Sequence, residues 1–163
     1  MESRVRNKYR DLTNLLIRRK ITITTMESCT GGQISSLITD TEGASAIMKG
    51  AFVTYSNEAK IKCGVKEDVI RTYGVYSKET AASMAEVCRK AYDSDIGIGI
   101  TGSFGNIDPN NADSEPGKVY FAIAAENGTK SFYHMIPARQ SRSAYKLYAA
   151  ELIVDILLEQ LSG

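Results

Sequence analysis

The chain is poor in the residues that most hydrolytic and metal centres use. It holds a single histidine, His134, and three cysteines, Cys29, Cys63 and Cys88. The cysteines are odd in number and lack C-x-x-C or Cys/His metal spacing, so neither a disulfide framework nor a bound metal is expected, and a reducing compartment, the cytosol, is the natural setting. Charge of one sign is also missing: 20 Lys and Arg face 19 Asp and Glu, a formal net charge of +1. No chain-wide field therefore favours nucleic acid or an anionic membrane surface. No apolar run approaches the roughly 18–20 residues of a membrane span. The first residues, Met1-Glu2-Ser3-Arg4-Val5-Arg6, carry charge but no apolar segment behind it, so no secretory signal is read. Asn127-Gly128-Thr129 accordingly reads as a hairpin turn rather than a glycosylation site.

What is present is an alternation of strand and helix patterns over 163 residues, a length suited to one domain. Val5, Tyr9, Leu12, Leu15 and Leu16 recur at helical spacing and predict an amphipathic helix from about Glu2 to Arg19. Ile21–Thr25 is rich in β-branched residues and predicts a strand that runs through Glu27-Ser28-Cys29-Thr30-Gly31-Gly32 into a helix. Ala51–Tyr55 predicts a second strand, followed by a short helix containing Asn57 and Lys60. Ser77 is placed to cap a long helix ending near Tyr92. Ile96-Gly97-Ile98-Gly99-Ile100 alternates apolar residues with glycine, the pattern of a strand closely approached by neighbouring backbone. A polar loop from Thr101 to Gly117 follows, long enough to serve as a lid. Val119–Ala125 and Thr129–Ile136 predict a hairpin, before a closing helix carrying Leu147, Tyr148, Ile153, Ile156 and Leu157. The expected architecture is a three-layer α/β/α sandwich on a mixed, partly parallel sheet.

In such sheets ligands gather where strands release their carboxyl ends into loops, and three reactive segments lie at such ends: Glu27–Gly32, Tyr55–Lys60 and Thr101–Gly105. In the first, Gly31 and Gly32 let backbone N–H groups approach a ligand, for an anion or an oxyanion hole; alternatively Ser28 or Thr30 merely caps the helix. A serine nucleophile needs a base, and His134 lies in the predicted hairpin. Lys60 follows the second strand by about one helical turn and could act as that base if burial lowers its pKa. Spacing alone leaves a Ser28–Lys60 pair and a solvated surface lysine both open. Cys29 is a rival nucleophile, since thiolates near helix N-termini are reactive.

Glu27-Ser28-Cys29-Thr30-Gly31-Gly32, then Gly50-Ala51-Phe52-Val53-Thr54-Tyr55-Ser56-Asn57-Glu58-Ala59-Lys60, then Gly74-Val75-Tyr76-Ser77 resembles the CinA C-terminal family, in the same order and across roughly Val5 to Leu158. The resemblance implies a nicotinamide-nucleotide amidohydrolase that converts nicotinamide mononucleotide and water to nicotinate mononucleotide and ammonia without a metal or cofactor. It further implies Ser28 as nucleophile, Lys60 as base and Tyr55 in the same hydroxyl network. Glu27, Thr30, Gly31, Gly32, Asn57, Thr101, Gly102 and Arg139 are implied as substrate-binding residues. A small-molecule substrate and a homodimer are expected, with no nucleic acid and no membrane partner. Only a short helical lead precedes Ile21, so one such domain over 1–163 is expected. The chain departs from the family pattern at Phe104 and Lys118, and at Ser143, where a second arginine is usual; Arg142 stands one position earlier, about 100° round a helix. An amidase of another substrate and a catalytically silent nucleotide- or partner-binding module are the alternatives.

Overall fold

The computed structural model describes all residues from Met1 to Gly163. Its centre is a five-stranded mixed sheet in the order β2-β1-β3-β4-β5. Strands β1 (Ile23–Glu27), β2 (Phe52–Val53) and β3 (Ile96–Gly102) are parallel, whereas β4 (Lys118–Ala125) and β5 (Gly128–Met135) add antiparallel pairs. The hairpin link is Glu126 and Asn127, one residue earlier than the Asn-Gly reading. Ala125 pairs with Gly128, whose φ of 131° suits glycine.

Side-chain alternation along the strands sorts the sheet into two faces. Ile23, Ile98, Ile100, Val119, Phe121 and Ile123 join the core beneath α1 (Glu2–Arg19), α2 (Gln33–Thr39) and α6 (Arg142–Leu161). The opposite face carries α5 (Lys78–Ala91), capped by Ser77, whose hydroxyl accepts the Thr80 N–H. Here the glycine pattern of β3 has its cause. A Cβ on Gly97 would collide with the Ala85 carbonyl, and one on Gly99 with the Ala81 carbonyl and the Ala85 nitrogen. Ala81, Ala85, Ala122 and Ala124 complete this close helix-to-sheet contact. Two shorter helices, α3 (Asn57–Lys62) and α4 (Glu67–Tyr73), lie between β2 and α5.

Strand β3 runs two residues beyond its predicted end, taking Thr101 and Gly102 from the expected loop, whereas β1 and β2 fall short of their predicted spans for local reasons. β1 starts two residues late because the Ile21 N–H closes the end of α1 on the Leu16 carbonyl, and the Thr22 N–H goes to Asp95. β2 is short because the Thr54 carbonyl, after one further N–H bond to Glu27, accepts from Lys60 instead of extending a ladder. The carboxyl ends of β1, β2 and β3 therefore converge, and the end of β5 and the start of α6 join them through 136–141. No helix is long and apolar enough to cross a membrane.

Candidate active site

Ser28 follows β1 directly and is fixed from the sheet side, its N–H donating to the Ile100 carbonyl at 3.1 Å. Lys60 lies in the first turns of α3, whose start is set by Ser56 accepting the Ala59 N–H. From there its side chain passes beneath the end of β2. Its Nζ donates to Ser28 Oγ at 2.9 Å and to the Thr54 carbonyl at 2.9 Å. Lys60 is only 2% exposed and Ser28 8%. Burial lowers the Lys60 ammonium from its usual 10.5 to about 8, with weaker opposing contributions from Cys29 and Asp108. A neutral amine becomes accessible near physiological pH, and its lone pair can then take the serine proton. The same burial pushes the Cys29 thiol up to about 12, the nearby Lys60 charge opposing only in part, which disfavours the thiolate that a cysteine nucleophile needs.

The turn after Ser28 is built by Glu27. Its carboxylate points into the molecule and is fully buried. Oε1 accepts from Thr30 Oγ1 at 2.7 Å and the Ile34 N–H at 2.9 Å; Oε2 accepts from Thr25 Oγ1 and the Ser35 N–H, both at 2.9 Å. Glu27 thereby caps α2 from the preceding strand, supplying what Gly32 at the N-cap lacks. The side chains of Glu27 and Thr30 are thus committed to shaping the turn and are not among those that line the cavity over Ser28. Gly31 and Gly32 have φ of 59° and 99°. The turn leaves the N–H groups of Cys29, Thr30 and Gly32 without an acceptor in the chain. Lys146 Nζ reaches this turn, 3.3 Å from where a Gly31 side chain would begin.

Over Ser28 opens a cavity of about 480 Å³, the scale of small-molecule sites. Tyr55, Asn57 and Gly102 line it as expected residues, joined by Cys29, Tyr76, Phe104, Asp108 and Arg142. The Tyr55 hydroxyl is engaged by Arg142 Nη2 at 2.7 Å and makes no bond to Ser28 or Lys60. Arg142 Nη1 also reaches Asn106 Oδ1 at 3.3 Å. Thr101 does not line the cavity: it is on the α5 face, fully buried, donating to the Val75 carbonyl. Arg139 is turned away as well. Its Nε bonds the Pro137 and Ala138 carbonyls and its guanidinium lies 5.1 Å from the centre of the Tyr148 ring. Arg142, in the first turn of α6, is the arginine of the cavity. His134 sits on β5 beside Tyr148, separated from β1 by β3 and β4.

The long loop after β3 is docked over the cavity. Tyr76 Oη donates to Asp108 Oδ2 at 2.7 Å, Asn57 Nδ2 to Asn111 Oδ1 at 2.8 Å, and Asn111 Nδ2 to Asp108 Oδ2 at 2.7 Å. Phe104 anchors its start, buried and stacked on Tyr145 at 5.4 Å. Tyr76, Asp108, Asn111 and Lys146 were not anticipated from sequence. The signal available for the loop was its polar turn chemistry, Asp108-Pro109-Asn110-Asn111.

Residues 6–161 match the CinA C-terminal domain. The chain belongs to that family. A CinA-like protein of Endomicrobium trichonymphae is 44% identical over 120 residues, covering 72% of this chain and 28% of its own length. A CinA-like protein of Leptospira interrogans is 36% identical over 155 residues, covering 94% of this chain and 36% of its own. The chain thus spans about a third of these curated relatives. The crystal structure of the competence/damage inducible protein CihA from Agrobacterium tumefaciens superposes with a TM-score of 0.85 at 27% identity, covering 98% of this chain and 96% of that one. Membership of the CinA family, with its mixed α/β fold, is what these likenesses establish.

Proposed function

We propose that the protein is a metal-independent amidohydrolase that converts nicotinamide mononucleotide to nicotinate mononucleotide and ammonia. The observation that carries this reading is the buried 2.9 Å contact between Lys60 Nζ and Ser28 Oγ at the floor of the cavity. Neutral Lys60 takes the hydroxyl proton as Ser28 Oγ attacks the carboxamide carbon. The tetrahedral oxyanion is held by N–H groups of the turn, of which Cys29, Thr30 and Gly32 are unengaged. On collapse the C–N bond breaks, Lys60 returns its proton to the departing nitrogen, and ammonia leaves an ester on Ser28. Water attacks that ester, giving its proton to Lys60, and the acid departs as Ser28 Oγ is reprotonated. Arg142, charged and facing the cavity, meets the phosphate of the nucleotide.

Family membership supports this reading, and turnover is the measurement that separates it from a silent binding module. The wild-type chain is expected to release ammonia from nicotinamide mononucleotide. Ser28→Ala, which removes one oxygen and leaves the cavity wall in place, is expected to abolish release while still binding the nucleotide. Ammonia release at the wild-type rate by Ser28→Ala would remove the serine from its role.

A further inference from the structure

The cavity carries two formal charges on its wall, and they are opposite in sign: Asp108 and Arg142. Neither has an oppositely charged partner. Arg142 is oriented by the neutral oxygens of Tyr55 and Asn106. Asp108 is oriented by the neutral donors of Tyr76 and Asn111 on Oδ2 and by the Asn110 N–H, 2.9 Å from Oδ1. A carboxylate has room for about four donors, so one lone-pair direction on Oδ1 stays open. Although its partial burial opposes ionisation, the hydrogen bonds from Tyr76, Asn111 and Asn110, with the Lys60 charge, hold the Asp108 carboxyl below its ordinary range. A carboxylate with no cation in contact with it thus faces a small-molecule cavity that also offers the aromatic rings of Tyr55, Tyr76 and Phe104.

We propose that Asp108 is a specificity-determining residue that selects a positively charged ring, so that the cavity discriminates by charge between a pyridinium carboxamide and its uncharged counterpart. The proposal rests on the amidohydrolase reading of this site and names the feature of the substrate that the docked loop reads. Arg142 serves the anionic end of the same molecule, and a zwitterion satisfies both walls at once. Selection of the cation also assists Ser28. The Asp108 charge favours the protonated form of Lys60. A cation placed against Asp108 cancels that influence and moves Lys60 toward the neutral base as the substrate arrives.

The test is equilibrium binding by titration calorimetry on the Ser28→Ala background, with two probes: nicotinamide mononucleotide and its 1,4-dihydro form. The second has the same carboxamide and phosphate but an uncharged ring. Ser28→Ala is expected to prefer the charged form by about tenfold or more, as an ion contact in a partly dry site implies. Ser28→Ala/Asp108→Asn is expected to bring that ratio to about one, chiefly by weakening the charged form. Ser28→Ala/Tyr76→Phe removes a bond to the loop but keeps the charge, so it is expected to weaken both forms and preserve the ratio. A preference that survives Asp108→Asn, no preference in Ser28→Ala, or no binding of either form overturns the proposal. Wild-type ammonia release is measured alongside. Turnover with an unchanged ratio sinks the role of Asp108 alone, whereas no turnover with the predicted ratios sinks the amidohydrolase reading and keeps charge selection.

Discussion

An amine 2.9 Å from an alcohol, itself almost wholly buried beneath the cavity floor, titrates unlike the same amine on a surface. Burial brings Lys60 to about 8, so the amine is mainly protonated at pH 6 and mainly neutral at pH 9. If the neutral form is the base, kcat/KM for ammonia release rises about tenfold per pH unit below that value and levels off above it. Lys60→Arg keeps the cation at every accessible pH and is expected to lose about 10²–10⁴-fold in kcat/KM, along with the rise. Ammonia assays from pH 6 to 10 check both, and a flat wild-type profile would rule out a titrating base near 8. The same shift acts on folding. The folded pKa lies below the unfolded one, so between about 8 and 10.5 the unfolded chain binds more protons and stability rises with pH through that window. Lys60 was legible in sequence as a candidate but not as a base, because spacing along α3 is silent about burial. The Thr54 carbonyl that fixes its Nζ comes from an interrupted strand no pattern marks.

At the scale of elements, Glu27 links β1 to the start of α2 and so sets the path of the serine turn. Glu27→Gln places an amide nitrogen where one oxygen accepted from two donors, leaving buried N–H or O–H groups unmatched at a cost of about 2–3 kcal/mol. Urea unfolding of this variant is expected to show a lower midpoint with an unchanged slope, and a midpoint within error of wild type would mean that the carboxylate does not hold the turn. Glu27 also illustrates what sequence patterns convey. The strand-turn-helix around Ser28, the capped α5 and the glycines of β3 were readable because periodicity, caps and missing side chains report on neighbours of a known kind. Helix α4 was not, since it is only seven residues long and none of them is fully buried, Ile70 resting in part against the cluster of Met26, Val65, Met84 and Cys88. Which arginine enters the cavity was equally hidden. Arg139 and Arg142 lie three residues apart, and the choice is made by the Pro137 and Ala138 carbonyls and the Tyr148 ring, which hold Arg139 outside.

Across the whole molecule, the site depends on the two terminal helices lying side by side on one face of the sheet, since α6 supplies Arg142 and Lys146. Glu151 of α6 joins them. It receives Arg4 through Nε at 2.6 Å and Nη2 at 2.9 Å, and Lys8 at 2.8 Å, while Lys8 also pairs with Asp155 at 2.8 Å. The Arg4 hydrogen bonds first, then those from Lys8, bring the Glu151 carboxyl down to about 2 from 4.5, against the opposing effect of burial. A depressed folded pKa stabilises fully above 4.5, and that contribution disappears as pH falls from 4.5 toward 2. Glu151→Gln cannot ionise and lacks the contribution at every pH. Its Tm is therefore expected to lie about 2–4 °C below wild type at pH 6, with the gap closing below pH 4.5 and nearly gone only at about pH 2. Arg4 is largely exposed, so about 0.5 M salt should also narrow the gap at pH 6. Thermal unfolding at the two pH values and two salt levels provides the check: a gap constant across all four conditions would assign the loss to packing and remove the ion cluster as the tie between the helices.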